Sequence, residues 1–251
     1  MNSKPIHILV IRLSAMGDVA MTIPVIRCLL KQYPSVRISI LTRPFFAPFF
    51  REFKAINTYC TELEGKHKGF IGLYKLHKDL LNLKFDAVAD LHKVLRSNIL
   101  VTLFRLRGIK CIQIDKGRKE KKQLTAAKID KALYPLKSTH KRYADVFKKL
   151  GYAVNLNKPY SLDKPKLTNN FVNKFKKNRI GIAPFASYKS KSLPVLLIKK
   201  LISQLSLNPK NSILLFGGGK GERVILEKLS KDYSNVHSLV QKFSFEEELD
   251  I

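Results

Sequence analysis

The sequence predicts an α/β protein built as two successive domains with parallel sheets. Short apolar runs of strand length alternate with amphipathic helical stretches, a linker-like tract interrupts the alternation, and the alternation then restarts. Strands separated by helices of this length form βαβ crossovers, and these force neighbouring strands to run parallel.

The first strand is His7–Ile11, an apolar run that breaks into small residues around Ser14 and Gly17, with Asp18 where a helix should start. Strand, tight turn and helix N-terminus in that order place side chains at the carboxyl edge of a sheet, where such folds keep their chemistry. A helix follows over about Val19–Lys31. Pro24 lies inside it and should kink it or delay its start. Further strands are expected at Val36–Leu41, Ala55–Cys60, Ala87–Asp90 and Lys110–Ile114. Helices are expected at Phe45–Phe53, Phe70–Leu81, Leu95–Leu106 and His140–Leu150, the last ending on Gly151. The tract from Asn155 to Asn178 is rich in Asn, Lys and Pro and reads as a linker. Beyond it, strands are expected at Ile180–Ala183, Ser212–Phe216 and Val236–Leu239, with helices at Val195–Leu205, Glu222–Lys231 and from Phe245 onward. The domains are set at 1–160 and 161–251, the second with fewer strands and looking cut short.

Composition narrows the function classes. The 251 residues are 45% hydrophobic, enough for real cores. No uncharged apolar run reaches about 18 residues, so no transmembrane helix is expected. The N-terminal apolar run is too short for a signal peptide and is interrupted by Arg12. Cys28, Cys60 and Cys111 have neither disulfide-framework nor zinc-site spacing, and read as reduced, mostly buried thiols. A cytoplasmic location is expected, peripheral on the inner face of the cytoplasmic membrane. Net charge is +28, yet only 12 of the 47 basic residues are arginine, which argues against bidentate nucleic-acid recognition. The excess is concentrated: 13 basic and 4 acidic residues between Lys110 and Lys149 leave +9, densest over Asp115–Lys122. Such a basic loop suits a membrane-bound, phosphate-bearing acceptor.

Three motifs carry the chemistry. Asp18, beside Gly17, can cap its helix electrostatically or act as a general base; Arg12 and Ser14 border the same turn, as acceptor contacts or as loop structure. In the second half, the stretch Pro184–Pro194 offers Ser187, Lys189 and Lys191 ahead of a helix, a combination suited to a diphosphate. The run Gly217-Gly-Gly-Lys-Gly-Glu222 follows a buried strand; it fits neither a dinucleotide fingerprint nor a P-loop, and reads as a tight strand-to-helix turn or a close backbone approach to ligand. His92 follows a strand and either reaches a cleft or sits on the surface. The remaining histidines have no metal-ligand spacing. Phe45, Phe46, Phe49 and Phe50 read as core and a helix face, or as a membrane-touching wedge beside Arg43 and Arg51.

The N-terminal stretch resembles that of the ADP-heptose:lipopolysaccharide heptosyltransferases, glycosyltransferase family 9. The likeness extends to Lys191-Ser-Leu-Pro194, where the family has tryptophan at the position of Leu193, to Gly217-Gly-Gly-x-x-Glu222, and to the tract Asp90–Ser97. The resemblance implies a GT-B type fold of two Rossmann-like domains, an N-terminal one for acceptor and a C-terminal one for the nucleotide-sugar. It implies Asp18 as catalytic base; Ser187, Lys191, Gly218 and Glu222 as donor-binding; and Arg12, Ser14, His92 and Arg96 on the acceptor side. No metal and no cofactor are expected, and the chain has no Asp-x-Asp motif. The implied reaction is inverting, metal-independent transfer of heptose from ADP-heptose, or a related nucleotide-sugar, to the lipid A-core or another lipid-linked acceptor at the membrane surface, with no specific nucleic-acid partner. Family members run on further, so a C-terminal truncation is expected. The competing expectation is a non-catalytic basic fragment that binds membrane or nucleic acid.

Overall fold

The computed structural model describes residues 6–126, 134–157, 175, 178–186 and 188–251. The chain divides into two compact units, Met1–Leu162 and Asp163–Ile251.

The first unit is a five-stranded parallel sheet ordered β3-β2-β1-β4-β5, from β1 (His7–Ile11), β2 (Arg37–Thr42), β3 (Ile56–Cys60), β4 (Ala87–Asp90) and β5 (Lys110–Gln113). Strand β1 is central and covered on both faces, so from Ile8 to Ile11 it is apolar without alternation. Its side chains divide by the two-residue strand period. Ile8 and Val10 pack with Val25, Ile26 and Leu29 of helix α2 (Thr22–Gln32) and Val146, Phe147 and Leu150 of helix α6 (Thr139–Leu150). Leu9 and Ile11 pack against Leu73, Leu76 and Leu80 of helix α3 (Gly69–Leu81) and Leu100, Val101 and Phe104 of helix α4 (Leu95–Leu106).

Three local expectations are corrected. The first helix is two, a short α1 (Met16–Ala20) and α2, with Met21 between them. Pro24 therefore falls in the first turn of α2, where a missing N–H costs nothing: the start is delayed, and Thr22 secures it by donating its hydroxyl to the Val19 carbonyl at 2.7 Å. The expected helix at Phe45–Phe53 is a 3₁₀ helix, Pro44–Phe50, with Pro48 inside it; Phe46 and Phe50 are buried and Phe45 is exposed. The basic stretch expected as a loop becomes helix α5 (Arg118–Thr125), which has no buried residue and is started by Gly117 at φ +60°. Helix α6 is capped by Ser138, whose hydroxyl accepts from the Lys141 N–H, and ends on Gly151.

The second unit is a three-stranded parallel sheet, β6 (Asn178–Ile182), β7 (Asn211–Leu215) and β8 (Val236–Ser238) in that order. Helices α7 (Val195–Ser206) and α8 (Lys220–Lys231) supply Ile198, Ile202, Leu226 and Leu229 to its core, and a short α9 (Phe245–Glu248) follows. Among the described residues no helix is long and apolar enough to cross a membrane. Cys28 and Cys111 are buried and Cys60 is exposed; burial pushes the Cys111 thiol up to about 11, away from nucleophilic use.

Candidate functional site

In the first sheet the strand order reverses between β1 and β4, so the loops leaving their carboxyl ends diverge and leave a crevice, the place where open α/β sheets bind ligands. The β1 loop carries Arg12 and Ser14 and leads into α1, which carries Asp18; the β4 loop carries His92. The structure brings these four together. Arg12, almost wholly buried, forms an ion pair with Asp18 Oδ2 and donates to the Leu91 carbonyl. Ser14 Oγ lies 3.3 Å from His92 Nε2, so the contact spans the switch point. The His92 ring is buried, with Nδ1 lacking a hydrogen-bond partner. Burial, then the Arg12 charge, lowers its pKa to about 4, so it is a neutral ring at neutral pH. It is not the surface histidine that its polarity allows. Arg96 stands apart in the first turn of α4, 3.5 Å from Glu64 on the preceding crossover.

Beneath the crevice, fully buried Asp90 accepts from the His92 and Lys93 N–H groups at 2.9 Å each and from Gln113 Nε2 at 2.8 Å. This carboxylate fixes the β4 loop rather than the chemistry. Tyr143 of α6 does the same for the β1 loop: it is completely buried, donates its hydroxyl to the Asp18 carbonyl at 3.1 Å and lies under the Arg12 guanidinium at 5.8 Å. Burial pushes its phenol up to about 12.

Beside the crevice opens a cavity of about 650 Å³ lined by Lys93, Lys116, Arg118 and Lys119 together with Asn98, Asp115 and Glu120, so its cations outnumber its carboxylates, and Glu120 is already paired with Arg142. Burial, then the Arg12 and Arg118 charges, lowers the Lys116 pKa, while Asp90 and Asp18 oppose the shift. Lys116 thus shares one electrostatic neighbourhood with Asp18. Cations crowded enough to disfavour one another gain from an anion among them. The sequence marks Asp115–Lys122 as the densest basic tract but gives none of its residues a place in the site. The missing signal is Gly117, whose positive φ turns the chain from β5 into α5. Arg142 of α6 then anchors that helix by donating to Glu120 Oε2 at 2.6 Å, the Lys137 carbonyl at 3.0 Å and the Asp115 carbonyl at 3.3 Å.

In the second unit, Lys191 follows β6 and the glycine run follows β7, so both lie at the carboxyl edge of one sheet. The loop carrying Lys191 is closed by the Leu193 N–H donating to the Pro184 carbonyl at 2.9 Å and the Ala186 N–H donating to Ser192 Oγ at 3.0 Å. The Lys191 ammonium lies 5.5 Å over the exposed Tyr188 ring. Ser187 lies outside the described residues. Gly218 donates its N–H to Glu222 Oε2 at 2.8 Å, which joins two expected donor contacts in one hydrogen bond. A side chain at Gly217 would meet Leu226 Cδ1 at 2.9 Å and Glu222 Oε2 at 3.0 Å, so the Glu222 carboxylate would have to shift to admit one. Among the described residues no group of three His, Cys, Asp or Glu is placed to hold a metal ion.

Residues 73–250 match the model of glycosyltransferase family 9 (heptosyltransferase). Solved structures share the fold. E. coli heptosyltransferase WaaC with ADP is 19% identical, with a TM-score of 0.67 over 96% of this chain and 77% of that one. A glycosyl transferase family 9 protein from Veillonella parvula is 16% identical, with a TM-score of 0.72 over 97% and 72%. E. coli ADP-heptose lps heptosyltransferase II is 19% identical, with a TM-score of 0.65 over 98% and 76%. The likeness establishes an α/β fold with parallel sheets of the GT-B type. No curated protein matches the sequence significantly.

Proposed function

The chain belongs to glycosyltransferase family 9, and from that premise we propose that it moves a heptose from ADP-heptose to a sugar of the lipopolysaccharide core, or a similar lipid-linked acceptor, by metal-independent inverting displacement. The observation that carries this reading is Asp18 held by Arg12 at the switch-point crevice, next to the cationic cavity of Lys93, Lys116, Arg118 and Lys119.

Asp18 takes the proton of the acceptor hydroxyl as its oxygen attacks the anomeric carbon, and the bond from that carbon to the diphosphate breaks. One displacement inverts the centre. A carboxylate engaged through Oδ2 keeps its second oxygen for the proton, and Arg12 and Tyr143 between them fix where Asp18 stands. The cavity cations receive the anionic groups of the acceptor, with Ser14, His92 and Arg96 on the acceptor side. Lys191 and Ser187 hold the donor diphosphate, and Lys191 offsets charge growing on it, the task a metal performs elsewhere. Gly218 and Glu222 take the nucleoside, Glu222 through ribose hydroxyls. The nucleotide is assigned as ADP because the E. coli relatives are described with ADP and as ADP-heptose enzymes. The protein acts at the inner face of the cytoplasmic membrane, where a lipid-linked acceptor is presented. Acceptor-dependent ADP release from ADP-heptose tests the proposal, and its absence in Asp18→Asn tests the base.

A further inference from the structure

Helix α3 is amphipathic in an unusual sense. At about 100° per residue, Gly72, Leu73, Leu76, His77 and Leu80 fall on one side and are buried in the core. Phe70, Ile71, Tyr74, Lys75 and Lys78 fall within an arc of about 140° on the other. That outward arc is not polar: Phe70 is 65% exposed, Ile71 73% and Tyr74 41%. A helix face turned to water should carry polar residues, so an aromatic and aliphatic cluster there marks a contact surface.

What borders the cluster identifies the partner. Lys68 precedes the helix, and exposed Lys75 and Lys78 rise from the same face, Lys78 with its ammonium 4.9 Å over the Tyr74 ring. Of the carboxylates on α3 and the segment preceding it, Asp79 pairs with Lys66 at 2.9 Å and Glu64 with Arg96 at 3.5 Å, which leaves Glu62 outnumbered by Lys68, Lys75 and Lys78. Apolar side chains surrounded by lysines match an anionic bilayer, where rings and methyls enter the acyl boundary and ammonium groups meet lipid phosphates. The helix begins beyond the carboxyl end of β3, on the same edge of the sheet as the Asp18 crevice.

We infer that the Phe70–Ile71–Tyr74 face of α3, with Lys68, Lys75 and Lys78, docks the protein on an anionic phospholipid surface and presents the acceptor edge to it. The inference deepens the proposed function by naming the surface used to reach a lipid-linked acceptor. Its test reads no sugar transfer, so the two fail separately.

The chain contains no tryptophan, so Phe70→Trp places a single indole in the face, and Leu207→Trp places one at an 83% exposed position of the second unit. Each full-length variant is mixed with phosphatidylglycerol-containing vesicles bearing brominated acyl chains, at about 0.15 M salt to screen diffuse attraction. The expected result is a blue shift and bromine quenching for Phe70→Trp, neither for Leu207→Trp, and about a tenfold loss of vesicle partition for Phe70→Ser/Ile71→Ser with unchanged circular dichroism. Co-sedimentation without quenching at position 70, or partition unaffected by the double substitution, overturns the inference. So does a concentration-dependent blue shift without vesicles, which assigns the face to a second copy of the chain.

Discussion

Replacing Gly117 with alanine should damage the acceptor cavity through a specific collision. Two effects add. Gly117 sits at φ +60°, where an L side chain costs about 1 kcal/mol. Its new Cβ would also lie 2.3–2.5 Å from the Arg142 guanidinium. That group is buried and held by three partners, so moving it forfeits charged hydrogen bonds worth about 2–3 kcal/mol. Together the loss is about 3–4 kcal/mol, or about a 10 °C fall in Tm at this size. Because α5 carries Arg118 and Lys119 into the cavity, acceptor KM should rise while donor KM stays. The assay is a double-mutant cycle with Arg142→Met, read by thermal unfolding. With the guanidinium gone, Gly117→Ala should cost only the backbone share, about 1 kcal/mol. Additive effects would refute the collision and leave φ strain as the whole cause.

Other outcomes follow from the same geometry. Tyr143→Phe removes the hydroxyl that holds the Asp18 carbonyl and should cost about 1 kcal/mol, a fall of about 2–4 °C in Tm. His92 titrates near 4 in the fold against an ordinary 6.5. The fold favours the neutral ring, so this contribution is complete above pH 6.5 and is lost as pH falls towards 4, about 3 kcal/mol in all; His92→Gln should flatten that limb of the stability profile. Lys191→Ala should lower kcat/KM for the donor about ten- to a hundredfold with unchanged Tm, since its ammonium is exposed.

Much of the fold is legible because strand β1 is apolar from Ile8 to Ile11, as a strand between two helix layers must be, and because helices of crossover length separate most consecutive strands. The errors have local causes. Met21 and Pro24 look like interior helix residues, and only the Thr22 bond to Val19 shows where the chain restarts. Arg118–Thr125 has no apolar face for periodicity to find, so a helix anchored through Glu120 and Arg142 reads as a charged loop. The meeting of Ser14 and His92 depends on strand order, with β1 beside β4 although 78 residues separate the two side chains. Spacing along the chain carries no trace of that. Tyr143 is hidden for the same reason, since an apolar-face tyrosine on α6 looks like core until its hydroxyl is traced to Asp18.

As the base of a sugar transfer, Asp18 is needed for the chemical step and not for holding the donor. The most direct test is acceptor-dependent ADP release from ADP-heptose by the unsubstituted chain and by Asp18→Asn, with donor binding measured in parallel. The expected result is a loss of about 10²–10⁴ in kcat with donor affinity nearly unchanged, and a lowered Tm because buried Arg12 loses its charged partner. Transfer by Asp18→Asn at the unsubstituted rate would contradict it.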